Sequence, residues 1–199
     1  MRRLMEVNGV QCVALLPGAN LRYFSGLDMH LSERPTIAFV PSEGALTVLL
    51  PALEAPAARA HLPEGTQMFA YTDEEGHEHV FHQVSEELGL AGKAIGVEYL
   101  VMRMLELRRI EQAAPGCQFL ATEPWMPELR MRKDETEIAH MKRAVEIAES
   151  AIQRLLEERS VQPGRTEREI ASHLSVCLLR EGSEGDAFRP IVVGGPNSA

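Results

Sequence analysis

Asp134-Glu135-Thr136-Glu137-Ile138, answered beyond Pro163-Gly164 by Thr166-Glu167-Arg168-Glu169-Ile170, is the stretch on which the reading of this chain turns. Asp134 with Glu137, and Thr166 with Glu169, have the capping-box spacing, in which two side chains satisfy each other's orphaned backbone donors at a helix start. After the first box, Ile138, Met141, Val145, Ala148, Ile152 and Leu155 recur at three- and four-residue steps, with Lys142, Arg143, Glu146 and Glu149 between them. That is one apolar helix face over 134–159. After the second box, Ile170, Leu174, Cys177 and Leu178 give a buried stripe over 166–181, and Gly182 is a stop. Phe188 to Val193 then alternates like a strand and closes on Gly194-Gly195-Pro196.

Carried by Arg132-Lys133-Asp134-Glu135, Glu137-Ile138, Met141, Pro163-Gly164, Thr166-Glu167, Glu169-Ile170-Ala171, Phe188, Ile191-Val192 and Gly195-Pro196-Asn197-Ser198-Ala199, this order resembles the creatinase, prolidase and Xaa-Pro aminopeptidase group. The catalytic domain of that group has the pita-bread fold. The resemblance implies a catalytic histidine soon after the Asn-Ser-Ala segment. Further on it implies two aspartates, a histidine and two glutamates that hold a pair of divalent ions (Mn, Co or Zn). All of these fall beyond Ala199, so the expectation is a truncated α+β domain of two helices and a strand, with no catalytic residue and no metal ligand in this chain.

The preceding residues read as alternating strands and helices. Val10 to Leu16 is an apolar run of the kind covered on both faces. Thr36–Val40 and Leu46–Leu50, joined by Pro41-Ser42-Glu43-Gly44, read as a hairpin. Pro51–Leu62 is helical in composition, with Pro56 delaying its start. Strands follow at Gln67–Tyr71, Ala94–Glu98 and Gln118–Ala121, with helices at Val80–Leu88 and Val101–Gln112. The pattern predicts an α/β domain with a mixed sheet and flanking helices over residues 1–128, then a hinge at Thr122–Arg132 and the second domain over 129–199. Pro17-Gly18-Ala19-Asn20-Leu21-Arg22-Tyr23-Phe24-Ser25-Gly26, Pro51-Ala52-Leu53-Glu54 and Ile95-Gly96-Val97-Glu98 resemble the creatinase-type N-terminal domain of prolidases.

Composition limits the function. The chain has 199 residues, 45% hydrophobic and 25% charged, with a formal net charge of -9 that argues against a nucleic-acid surface, which needs a basic stripe. No apolar run reaches the roughly 20 residues of a membrane span, and no signal-peptide core follows Met1-Arg2-Arg3. Cys12, Cys117 and Cys177 show no metal spacing and fit a reducing cytoplasm.

Asp73-Glu74-Glu75-Gly76-His77-Glu78-His79, with His82, places His79 and His82 three apart on a helix, where imidazoles can bind zinc or nickel. An acidic, solvated helix start accounts for the run equally simply and is preferred. Tyr23, Asp28, His30 and Arg34 lie in the loop after the first strand. In prolidase-like dimers this region borders an active site, so the resemblance implies His30 and Arg34 as substrate-binding residues of a homodimer. Asn197 and Ser198, which would position the histidine loop of a complete enzyme, are expected to fray here.

The function implied by the resemblance is hydrolysis of the bond preceding proline by a metal-dependent Xaa-Pro dipeptidase or aminopeptidase, with this chain inactive alone. Two alternatives stand beside it: a non-catalytic dimerisation or binding module, and a fragment of a creatinase-like amidinohydrolase.

Overall fold

The computed structural model describes residues 1–198 and divides into two compact units, Met1–Met131 and Arg132–Ala199. The first unit is built in the order α1 (Arg2–Val7), β1 (Cys12–Leu15), α2 (Ala19–Ser25), β2 (Ile37–Pro41), β3 (Thr47–Pro51) and α3 (Ala55–His61). There follow β4 (Gln67–Tyr71), α4 (Glu78–Leu88), β5 (Ala94–Val97), α5 (Met104–Ala113), β6 (Gln118–Ala121) and α6 (Glu128–Met131).

The six strands form one mixed sheet in the order β4-β3-β2-β1-β5-β6. β1–β2 and β2–β3 are antiparallel, while β3–β4, β1–β5 and β5–β6 are parallel. Alternation along each strand sends side chains to opposite faces, and two cores result. Cys12, Ala14, Ile37, Phe39, Leu49 and Ile95 pack with Val80, Phe81 and Val84 of α4 and Ile110 of α5. Val13, Leu15, Ala38, Val48 and Leu50 pack on the other face with Met5, Leu21, Ala58, Trp125 and Met126. With both faces covered, β1 and β3 are buried throughout.

This is the α/β class expected, and the expected strands and the helices α3, α4 and α5 are found with boundaries shifted by a few residues. α3 begins next to Pro56, whose ring is tolerated in the first turn. The short helices α1, α2 and α6 lie in stretches without an amphipathic period long enough to announce them.

The segment expected as a hinge is not free chain. Thr122, Trp125 and Met126 are buried, and Arg130 donates to Asn20 Oδ1 at 2.9 Å while Asn20 donates to Glu98 at 2.6 Å. Gly96 marks the tightest packing here. A Cβ at this position would lie 2.9 Å from Thr122 Cγ2, 3.1 Å from Val10 Cγ1 and 3.2 Å from Val13 Cγ2. Gly96→Ala is therefore expected to destabilise the first unit by about 1–3 kcal/mol through overpacking, read from the midpoint of urea unfolding followed by tryptophan fluorescence.

The second unit is a helix pair, α7 (Glu135–Glu157) and α8 (Glu167–Arg180), ending in a 3-10 turn over Gly195–Ser198. Both capping boxes are formed: Asp134 with Glu137, and Thr166 with Glu169. Ala151, Leu155 and Cys177 make the buried seam, with Ile170, Leu174 and Leu178 packed against it. The rest of the α7 stripe, Ile138, Met141, Val145 and Ile152, is roughly half exposed.

Phe188–Val193, expected as a strand, is irregular in the structure. Strand conformation is held by a neighbouring ladder, and no described residue pairs with this segment, so alternation alone does not make it one. Asn197, expected to fray, instead donates from Nδ2 to Glu167 Oε1 at 3.0 Å and helps hold that carboxylate below its ordinary value. Ala199 lies outside the described residues.

Candidate functional site

The loop between α2 and β2 leaves the helix at Gly26, which caps it in the left-handed conformation (φ 79°). Three anchors hold the loop's second half. Arg34 forks onto Asp73 at the end of β4, Nε to Oδ1 at 2.8 Å and Nη2 to Oδ2 at 2.6 Å. Tyr71, a buried residue of β4, donates its hydroxyl to Pro35 O at 3.0 Å. Arg103, just ahead of α5, donates Nη1 to the Ser32 carbonyl while Nε and Nη2 engage the fully buried Glu106 carboxylate.

Beside the Arg34 and Tyr71 contacts lies an open cleft of about 320 Å³ lined by Glu33, Arg34, Pro35, Tyr71, Asp73, Gly76 and His77. Its polar groups are tuned by their neighbours. The Arg34 hydrogen bonds hold the Asp73 carboxyl below its usual 3.8. Burial pushes the Tyr71 phenol up, so it stays a neutral donor.

His77 stacks edge-on to Tyr71 and Phe81 at 5.8 and 5.9 Å. Burial, then the Arg109 guanidinium, lowers its pKa below the usual 6.5. Folding thus favours the neutral ring, and that contribution is present above pH 6.5 and lost as acid takes pH through the depressed value. Its Nδ1 is buried without a hydrogen-bond partner among the described residues. The site therefore offers one cation already forked onto a carboxylate, a neutral imidazole and a neutral phenol.

The sequence candidates are not brought together into one pocket. Arg34 lines the cavity, with one guanidinium nitrogen also 3.2 Å from Glu33. His30 is exposed on the loop ahead of it and is not part of the lining. Asp28 pairs with Arg22 at 3.1 Å. Tyr23 lies under Arg130, 5.5 Å from the ring centroid. His79 and His82 are exposed on α4.

Glu106 and Arg103 were not singled out in the sequence. Their i,i+3 spacing at a helix start is legible there, but the burial of Glu106 comes from the fold. Among the described residues, one group has three side chains close enough to share a metal ion: Glu158, His173 and Cys177, in the second unit. One carboxylate, one imidazole and one thiol are too few donors to hold a bridged pair of divalent ions. No helix among the described residues is long and apolar enough to cross a membrane.

Residues 139–199 match the model of metallopeptidase family M24, and residues 1–132 that of the Creatinase/Prolidase N-terminal domain. The probable dipeptidase PepE of Mycobacterium tuberculosis is 31% identical over 194 residues, which are 96% of this chain and 49% of that protein. The Xaa-Pro dipeptidase of Pyrococcus horikoshii is 25% identical over 195 residues, 98% of this chain and 51% of its own length. The crystal structure of a prolidase from Thermococcus sibiricus superposes with a TM-score of 0.87 at 26% identity, covering 98% of this chain and 52% of that one. The chain thus spans about half the length of the relatives it matches. With the N-terminal model matched over two thirds of its residues and the M24 model following in order, this chain belongs to the creatinase/prolidase family.

Proposed function

We propose that this chain is the leading half of a metal-dependent Xaa-Pro dipeptidase. On this reading residues 1–128 form its creatinase-type N-terminal domain and residues 129–199 open its catalytic domain. The observation that carries the reading is the tandem of the two family matches, in the order and at the spacing of a prolidase. The substrate is a proline-containing dipeptide in the cytoplasm, and the working form is a homodimer. The reaction belongs to a complete M24 centre, where two divalent ions would supply the hydrolytic water and polarise the scissile carbonyl.

This chain's own part is to present the loop that carries His30 and Arg34. The Tyr71, Asp73 and Arg103 anchors hold that loop still, so a substrate group arriving beside it meets fixed donors and not a mobile segment. On this reading His30, exposed and outside the Arg34–Asp73 fork, reaches the substrate. Arg34 sets the loop's course.

In a protein carrying this chain ahead of a complete M24 domain, His30→Ala is expected to lower kcat/KM for an Xaa-Pro dipeptide about 10- to 100-fold, the loss of one hydrogen bond to a charged group. Steady-state kinetics with manganese present provide the check, and an unchanged kcat/KM removes His30 from the site. Residues 1–199 alone are expected to give no turnover. Hydrolysis of the dipeptide by the purified 199-residue chain would place the catalytic groups within it and overturn the reading.

A further inference from the structure

We propose that the α7–α8 pair carries a mononuclear site for a zinc-class transition-metal ion, with Glu158, His173 and Cys177 as its ligands. From the sequence, Cys177 is expected as core alone and no residue of this chain as a metal ligand. In the structure, His173 and Cys177 stand four residues apart on α8 and so share one face. The turn that ends α7 brings Glu158 over the same face, and one donor atom from each residue lies within 4.8 Å of the others. His173 Nε2 and Glu158 Oε2 are 2.7 Å apart. A tetrahedral ion bonded at about 2.0 Å to nitrogen and oxygen and about 2.3 Å to sulfur sets its ligands roughly 3.3–3.6 Å apart. Side-chain adjustments of an ångström or so take the group there.

The atoms that would not bind the ion are already held. The Ser160 hydroxyl, buried beside the ring, is hydrogen-bonded to His173 Nδ1. That contact fixes the imidazole plane and engages Nδ1, so Nε2, which faces Glu158, is the ring nitrogen turned toward the site. Glu158 Oε1 faces Arg180 at 3.5 Å and Arg154 at 4.0 Å, which leaves Oε2 on the histidine side. Arg154 is itself neutralised by Glu181 at 2.6 Å. Oriented first ligands with occupied outer atoms are the arrangement metal sites use to fix geometry.

Thiolate with imidazole selects zinc, cobalt or a similar borderline ion over the all-oxygen preference of magnesium, calcium and manganese. Cys177 is fully buried, whereas Glu158 and His173 are about a third exposed, so the ion enters from their side and keeps a water in its fourth position. On binding, the Cys177 thiol loses its proton to solvent, the His173 ring gives up its Nε2 proton and holds its remaining N–H at Nδ1 toward Ser160, and the His173–Glu158 contact opens around the ion. Among the described residues, the seam of the second unit has three buried side chains, Ala151, Leu155 and Cys177. A cross-link between the end of α7 and the middle of α8 would therefore hold together a pair that its apolar core holds weakly.

The probe is Co²⁺ alone, added to the 199-residue chain and read by its near-ultraviolet thiolate charge-transfer band, with metal content by mass spectrometry. One Co²⁺ per chain with that band is expected, unaffected by excess Mg²⁺ and retained in Cys117→Ser. The band should vanish in Cys177→Ser, and His173→Gln should lose stoichiometric binding. Ser160→Ala should weaken binding about 10- to 100-fold. If Cys177→Ser does not fold, His173→Gln, at a position about a third exposed, decides. No thiolate band, or a band that survives His173→Gln, overturns the proposal. None of these readouts uses peptidase activity, so the outcome is independent of the hydrolase reading.

Discussion

Glu106→Ala is expected to lower the unfolding free energy of the first unit by about 3–5 kcal/mol, the cost of removing one partner from a buried ion pair. The carboxylate is fully buried and accepts from Arg103 Nε at 3.0 and 3.1 Å. Without it, the guanidinium is left with the Ser32 carbonyl and whatever water reaches it. Arg103 is 31% exposed, so partial resolvation brings the value toward the lower end of that range. The loss should not stop at stability. Ser32 belongs to the loop that bears His30, and a wandering Arg103 frees one of that loop's three anchors. Denaturant unfolding gives the first quantity and amide exchange over residues 27–35 the second. Less than about 1 kcal/mol of destabilisation would mean that the pair contributes no more than a surface contact. The paired replacement Arg103→Met with Glu106→Leu should recover most of the stability, because neither charge is then stranded, while leaving Ser32 unheld.

Phe39→Ala should cost a similar amount, about 3–5 kcal/mol, by a different route. Phe39 sits on β2, the third strand of six, and is 1% exposed in the core beneath α4 and α5. Truncation removes its transfer free energy and leaves a void that a sheet paired on both sides cannot close. The comparison that isolates burial from residue type is Phe188→Ala, at a position 75% exposed, which should shift the urea midpoint by less than 0.5 kcal/mol equivalent. Equal effects at the two positions would contradict the packing described for β2.

The contrast between these two phenylalanines also marks what the sequence could and could not reveal. β-Branched and aliphatic runs at Thr36–Val40 and Leu46–Leu50 are legible as strands because each is short, apolar and bounded by turn residues. The capping boxes at Asp134 and Thr166 were legible because their chemistry is local. Phe188–Val193 has the same alternation, yet pairing is a property of two segments, and one sequence window carries only one of them. The burial of Trp125 in the first unit was hidden for the same reason: prolines on either side read as a linker, and only the fold shows the core that receives the ring.

The candidate site divides along the same line. His30 and Arg34 could be named from resemblance, but Asp73, which occupies Arg34's fork, lies across the sheet in another loop. Glu158 is fifteen residues from His173 and reaches it only because Pro163-Gly164 folds the chain back.

The sheet order has a consequence for how this chain is made. β1 is paired on one side with β2, its near neighbour in sequence, and on the other with β5, where Cys12 meets Ile95. As the polypeptide leaves the ribosome, β1 through β4 can zip together early, but the far flank of β1 must wait until most of the first unit has been translated. During that interval an apolar strand edge is open to strangers. Slow codons or a chaperone acting between residues 51 and 97 should therefore change the yield of folded protein more than the same pause placed after β6.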